Sequence, residues 1–230
     1  MSSTAEATSA RGYVSLKAAW IPLAALCLAF FVEMVDNTLL TIALPTIGRH
    51  VGGGTTALQW VSGAYSLTFG GLLLTAGSAA DRLGRRRVLL VGLAALGLIS
   101  LAVVAVNSAG QLIALRAALG VAAAMMAPIT NSLVFRLFDD DALRMRAVTL
   151  MIVVGMSGFI LGPLLGGTAL AHVRWQWLLV VNAPVALIAW VGVRLGVAAD
   201  RPHELSGDAL DVAGAVLSSP RSALPATPRC

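Results

Sequence analysis

The sequence predicts an all-α membrane protein with six transmembrane helices. Three observations carry that expectation. Hydrophobic residues make up 58% of the chain and charged residues only 12%, about half the charged share of an ordinary soluble domain. Six apolar stretches each approach the roughly 20 residues that a bilayer-spanning helix needs. Arginines and lysines gather in alternate joining segments, the bias that orients membrane helices. Spanning enforces helix, because backbone N–H and C=O groups in hydrocarbon can bond only to one another.

Residues 1–17 are rich in Ser, Thr and Ala and read as a disordered cytoplasmic tail. The six-helix bundle follows over 18–198, with spans near 18–43, 57–79, 88–106, 110–135, 147–171 and 176–198. Joining loops are short, except for 44–56 with Pro45 and Gly52-Gly53-Gly54, which reads as a longer loop. With the N-terminus inside, the cytoplasmic segments hold Arg11, Lys17, Arg82, Arg85, Arg86, Arg87, Arg136, Arg144, Arg146, Arg194 and Arg201. The outer loops hold only Arg49 and Arg174. This places both ends of the bundle in the cytoplasm of a plasma (inner) membrane protein. Residues 199–230 read as a cytoplasmic tail. Its final prolines and arginines rule out a seventh span, and the expectation is that the natural frame was cut or shifted there.

The net charge of +5 belongs to loop arginines beside lipid headgroups, so it is no nucleic-acid footprint. Cys27 lies in an apolar run and Cys230 is the last residue, which leaves no disulfide framework and no metal-ligand spacing. The first span is no cleaved signal peptide, because its apolar stretch is long and contains Glu33 and Asp36.

Charges inside spans carry the functional signal. Asp36 lies near the middle of the first span, and Glu33 precedes it by one turn on the same face. Two acids so close in a low dielectric cannot both stay charged cheaply, so one is suited to holding a proton near neutral pH. Arg116 lies about two turns into the fourth span. A cation there needs pairing or water, and Glu33 and Asp36 are the candidate partners. The fifth span sets Gly158, Gly162 and Gly166 four apart, a bare stripe where another backbone can approach. Pro163 removes one ladder hydrogen bond there. Trp175 and Trp177 suit an aromatic belt at the membrane interface. A compact, highly charged turn joins the second and third spans, Gly77-Ser-Ala-Ala-Asp81-Arg82-Leu-Gly84-Arg85-Arg86-Arg87.

That turn resembles the helix 2–3 loop of major facilitator superfamily transporters, G-x-x-x-D-R-x-G-R-[KR]-[KR]. Gly77, Asp81, Arg82, Gly84, Arg85, Arg86 and Arg87 all match. Over residues 30–214 the chain is similar to the fourteen-helix drug:proton antiporter branch. Asp36-Asn37-Thr38 to Pro45 fits its L-D-x-T signature, with Val35 for the first leucine. Arg116, Gly120 and Pro128 fit its helix 4 pattern, and Gly158, Gly162, Pro163, Gly166 and Gly167 fit the exporter motif G-x-x-x-G-P-x-x-G-G. Trp175-Gln176-Trp177 to Asn182 and Pro184 fit its helix 6 start, with Gln176 for the usual arginine.

The resemblance implies the N-terminal half of the major facilitator fold and proton-coupled efflux of drugs or antibiotics. Asp36 and Glu33 would carry protons, Arg116 would couple or pair, Gly162 and Pro163 would let helix 5 bend, and Asp81 with Arg82 would latch the cytoplasmic side. Protons are then the coupling ion and no other cofactor is expected. The expected partners are the lipid bilayer, small amphipathic or cationic organic molecules, and a second six-helix half or a homodimer. Alone, the chain is expected to transport poorly. The other readings are a non-transporting six-helix partner of a transporter and an uptake carrier of the same superfamily. A further one is a rhomboid-like serine protease, suggested by Gly155-Met156-Ser157-Gly158. A protease serine needs an imidazole in reach. Of His50, His172 and His203, none is well placed, so the chain is not expected to be an enzyme.

Overall fold

The computed structural model describes residues 12–51 and 54–200. Among them the secondary structure is helical: α1 (Trp20–Val51), α2 (Gly54–Leu83), α3 (Arg85–Ala102, continued by a 3-10 turn Val103–Ala105), α4 (Ala109–Arg136), α5 (Asp141–Leu170), α6 (Trp175–Val180) and α7 (Asn182–Gly196). The tail assigned to 201–230, including the suggested frame change, lies outside the described residues, as do residues 1–11.

Among the described residues, five helices are long and apolar enough to cross a membrane: α1, α3, α4, α5 and the combined α6–α7. The sixth expected span, α2, has 30 residues but is less apolar, because Ser62, Ser66, Thr68, Thr75 and Ser78 interrupt it. The hydroxyls of Ser66, Thr68, Thr75 and Ser78 donate back to carbonyls three or four residues earlier, which satisfies them within the helix. The last span divides at Val181 into α6 and α7. Pro184 lacks the N–H that would bond to the carbonyl of Val180, so the ladder is interrupted there.

Three expectations need correction. The loop expected over 44–56 is mostly helix, since α1 runs through Pro45 to Val51 and α2 starts at Gly54. A proline removes one ladder bond and does not end a helix whose flanking turns are packed, as Ala43 and Ile47 are. Residues 12–17 of the tail expected over 1–17 include contacts to the bundle. Gly12 N–H donates to Asp139 (2.7 Å), Tyr13 N–H donates to the Leu137 carbonyl (2.8 Å), and the Tyr13 ring packs on Phe138. Trp175 is a core residue, 2% exposed, and no belt residue, whereas Trp177 is 55% exposed.

α4 lies along α2 and α3, and α1 lies along α5 and α7. The main core gathers Leu26, Val32, Leu93, Leu119, Met126 and Phe138. A smaller one at the opposite end holds Leu40, Ile47, Val61, Leu112, Trp175 and Leu179. The α1–α5 seam depends on missing side chains. A Cβ on Gly155 would strike Phe30, one on Gly162 would strike the Thr38 hydroxyl, and one on Gly166 would come within 2.8 Å of Leu39. Gly167 faces open space. Thr38 cannot yield easily, because its hydroxyl already donates to the carbonyls of Met34 and Val35. Gly162→Ala is therefore expected to cost about 1–3 kcal/mol and to lower the thermal unfolding midpoint in detergent, while Gly167→Ala leaves that midpoint unchanged.

Candidate functional site

Asp36, near the centre of α1, is 2% exposed, and each of its carboxylate oxygens has a partner on another helix. Arg116 Nη1 on α4 donates to Oδ2 at 2.7 Å. Asn182 Nδ2, the first residue of α7, donates to Oδ1 at 2.8 Å. Arg116 is itself 2% exposed, and its guanidinium carbon sits 4.5 Å from the centre of the Tyr65 ring on α2. Asn37 Nδ2 donates to the Tyr65 hydroxyl (3.2 Å) and to the Glu33 carbonyl (3.2 Å). Four helices thus meet at one charge pair. An isolated ion in this surrounding would be far too costly, and the pair persists because its oxygens are hydrogen-bonded as well as neutralised.

α2 reaches α4 beside this pair because Gly120 has no side chain. A Cβ there would collide with Thr68 and with the Tyr65 carbonyl. Thr68 Oγ1 donates across the gap to the Ala117 carbonyl at 2.9 Å.

Of the two acids considered as partners for Arg116, only Asp36 makes the bond. Glu33 is 4% exposed and forms no ion pair among the described residues, and its Oε2 is buried with no hydrogen-bond partner. Glu33 shares a face of α1 with Asp36, yet the bond to Arg116 is made by Asp36 alone. Arg116 Nε and Asn182 Oδ1 are also buried without partners. Unsatisfied buried polar atoms are uncommon enough that a cluster of three around one ion pair marks a functional candidate.

The arginine-rich turn is tighter than the expected 77–87 stretch. Helix α2 runs through Asp81 and Arg82 to Leu83, and α3 begins at Arg85, so the link is Gly84 alone. Its φ of 97° is a conformation that side chains resist. Arg85 bridges the turn by donating through Nε (3.0 Å) and Nη2 (2.9 Å) to Asp81, and it also bonds Ser132 on α4. Asp200, beyond α7, accepts from the Arg86 backbone N–H at 2.9 Å and pairs with Arg136 at 3.6 Å. Gly84 offers no capping side chain, so Asp200 caps α3 from a distance. Gly77 lies within α2 with nothing packed where a Cβ would be, and Arg87 is exposed.

Ser157 and the histidines are not brought together. The Ser157 hydroxyl donates to the Val154 carbonyl (2.6 Å), and the His50 and His172 rings bond carbonyls of their own helices. His203 lies outside the described residues.

Residues 26–225 match the Major Facilitator Superfamily. The chain belongs to that superfamily. It is a multi-pass membrane protein with the N-terminal part of the superfamily fold. It is 42% identical over 176 residues to a puromycin resistance protein of Streptomyces alboniger, covering 76% of this chain and 35% of that protein. It is 38% identical over 169 residues to a multidrug efflux pump of Mycolicibacterium smegmatis (74% and 34%). Against a cephamycin export protein of Amycolatopsis lactamdurans it is 37% identical over 194 residues (84% and 40%). The chain thus spans little more than a third of the length of these curated relatives.

In this superfamily member, sequence reasoning found Asp36 and Arg116 and gave no role to Asn182, Tyr65 or Asp200. Asn182 was visible as a lone amide in an apolar run. Tyr65 and Asp200 carried no such signal, because a tyrosine in a span and an acid after a helix are ordinary. Arg116→Ala leaves the Asp36 charge buried with one neutral donor. It is expected to cost about 3–5 kcal/mol, read as denaturant stability in detergent. Removing both ions in Asp36→Ala with Arg116→Ala is expected to cost less than Arg116→Ala alone.

Proposed function

We propose that this chain is the six-helix N-terminal part of a proton-coupled exporter of drugs or antibiotics. It lies in the plasma (inner) membrane with the arginine-rich end in the cytoplasm. One observation carries the reading: a buried, unpartnered Glu33 carboxyl one turn from the Asp36–Arg116 pair. An unpaired carboxylate at that depth costs far more than the neutral acid, so Glu33 is where a proton is held. Asp36 stays neutralised by Arg116 until a proton or a cationic group of a substrate competes for it. Either event frees the Asp36 oxygens and loosens the tie between α1, α4 and α7. Protons are the coupling ion, and the chemistry needs no other cofactor. In such a carrier, substrate binds near the midplane between two six-helix parts, whose rocking alternates access. The second part is the remaining length of a full carrier or another copy. Small amphipathic or cationic molecules are the substrates this reading favours, because an exchangeable carboxylate among apolar helices attracts a cation with an apolar body. Gly162 with Pro163 lets α5 shift on α1, and the Asp81–Arg82 turn latches the cytoplasmic end. Export rather than uptake is supported by the resistance and efflux names of the relatives and by the glycine–proline stripe of α5.

The test joins residues 12–200 to the remaining length of the puromycin resistance protein of Streptomyces alboniger, in a puromycin-sensitive host. The chimera is expected to protect the host and to drive efflux in vesicles under an imposed proton gradient. Glu33→Gln and Asp36→Asn are each expected to abolish that efflux. Gradient-driven export that survives Glu33→Gln, or net accumulation of the solute, would overturn the reading.

A further inference from the structure

A second feature of the α1–α5 seam has nothing to do with the charge pair. At the arginine-rich end, the two helices leave an open groove of about 460 Å³, walled by Leu23, Cys27 and Leu28 of α1 and by Leu150 and Val154 of α5. Lys17 and Trp20 stand at its mouth. Trp20 is 65% exposed, and Lys17 is exposed with no acid partner among the described residues. Arg146 lies one turn before Leu150 on the same face of α5 and is likewise exposed without an acid partner among the described residues. The parallel register of the seam, with Gly155 against Phe30 and Gly162 against Thr38, sets Arg146 level with the first turn of α1.

The acids nearest in sequence are engaged elsewhere. Asp139 accepts from Gly12 N–H, Asp140 caps α5 by accepting from Leu143 N–H, and Asp141 pairs with Arg144. Farther along the same seam lies a comparable groove, about 380 Å³, and no charged residue lines it. Lys17 thus lines the first groove, whereas no charged residue lines the second.

We propose that the arginine-rich end of the α1–α5 seam binds an anionic phospholipid. One acyl chain lies in the groove, and the headgroup phosphate sits between Lys17 and Arg146. Charge complementarity favours this occupant. A second copy of the chain would have to bring two acids to these cations, whereas a lipid of that leaflet supplies phosphate and hydrocarbon in one molecule, at the depth where Trp20 marks the interface. The inference goes beyond the transport reading and holds whatever the chain carries.

The test uses the full 230-residue chain in phosphatidylcholine vesicles doped with brominated phosphatidylglycerol or brominated phosphatidylcholine, read as quenching of tryptophan fluorescence. Brominated phosphatidylglycerol is expected to quench at a markedly lower lipid fraction. Lys17→Gln and Arg146→Gln should each weaken that preference roughly fivefold, and together remove it. Both side chains are exposed, and unchanged helical circular dichroism checks that the variants fold. Trp20→Phe should remove the selective component and so identify the reporter. Equal quenching by the two lipids would overturn the proposal, as would a preference that survives the double substitution. So would quenching by both lipids that falls as protein density in the vesicle rises, the sign of a second copy in the groove.

Discussion

Arg116 is the side chain around which this bundle is organised. A guanidinium cannot be left alone in the interior of an apolar helix bundle, and nothing at its level on α4 can neutralise it. Asp36 must therefore face it from α1, at 2.7 Å, and Asp36 brings Asn182 and α7 with it. Tyr65 closes the remaining side by laying its ring under the guanidinium. Positions with no chemistry of their own follow from this. Gly120 has to be bare for α2 to bring Tyr65 close, and the α5 glycines have to be bare for α1 to lie so close to α5. The pair is a constraint on geometry more than a source of stability, since a buried ion pair gains little over well-packed apolar groups.

The two ends of the bundle work by different physics. The end with Trp175 is closed by an apolar cluster and contains little charge. The end with Gly84 is closed by a polar web in which Asp81, Arg85, Ser132, Arg86, Asp200 and Arg136 tie α2, α3, α4 and the residues after α7 together. Pairs in such a web are partly wetted and individually weak.

Much of this was legible in the sequence, and the limits have physical causes. Apolar length gave the helices and their order, because a bilayer permits few alternatives. The stripe of Gly158, Gly162 and Gly166 announced a close helix contact, and the structure supplies α1 as its partner. Pro45 misled, because proline's local preference for ending a helix was overridden by packing on both sides of it. Trp175 misled because an interfacial and a core tryptophan look alike until the neighbouring helices are placed. Pairing across helices was the least legible level. Spacing put Glu33 and Asp36 on one face, but which of them meets Arg116 depends on helix rotation that no local pattern encodes. Asp200 capping α3 joins residues more than a hundred positions apart, and only the fold brings them together.

The central claim is that Asp36 holds α4 and α7 at once, one through each oxygen. An experimental structure of the full chain in lipid nanodiscs, at a resolution that separates the two carboxylate oxygens, tests it most directly. Arg116 and Asn182 are expected at hydrogen-bond distance from different oxygens of Asp36, with Glu33 bonded to neither. Arg116 turned to Glu33 or out toward lipid, with Asp36 left to other partners, would contradict it.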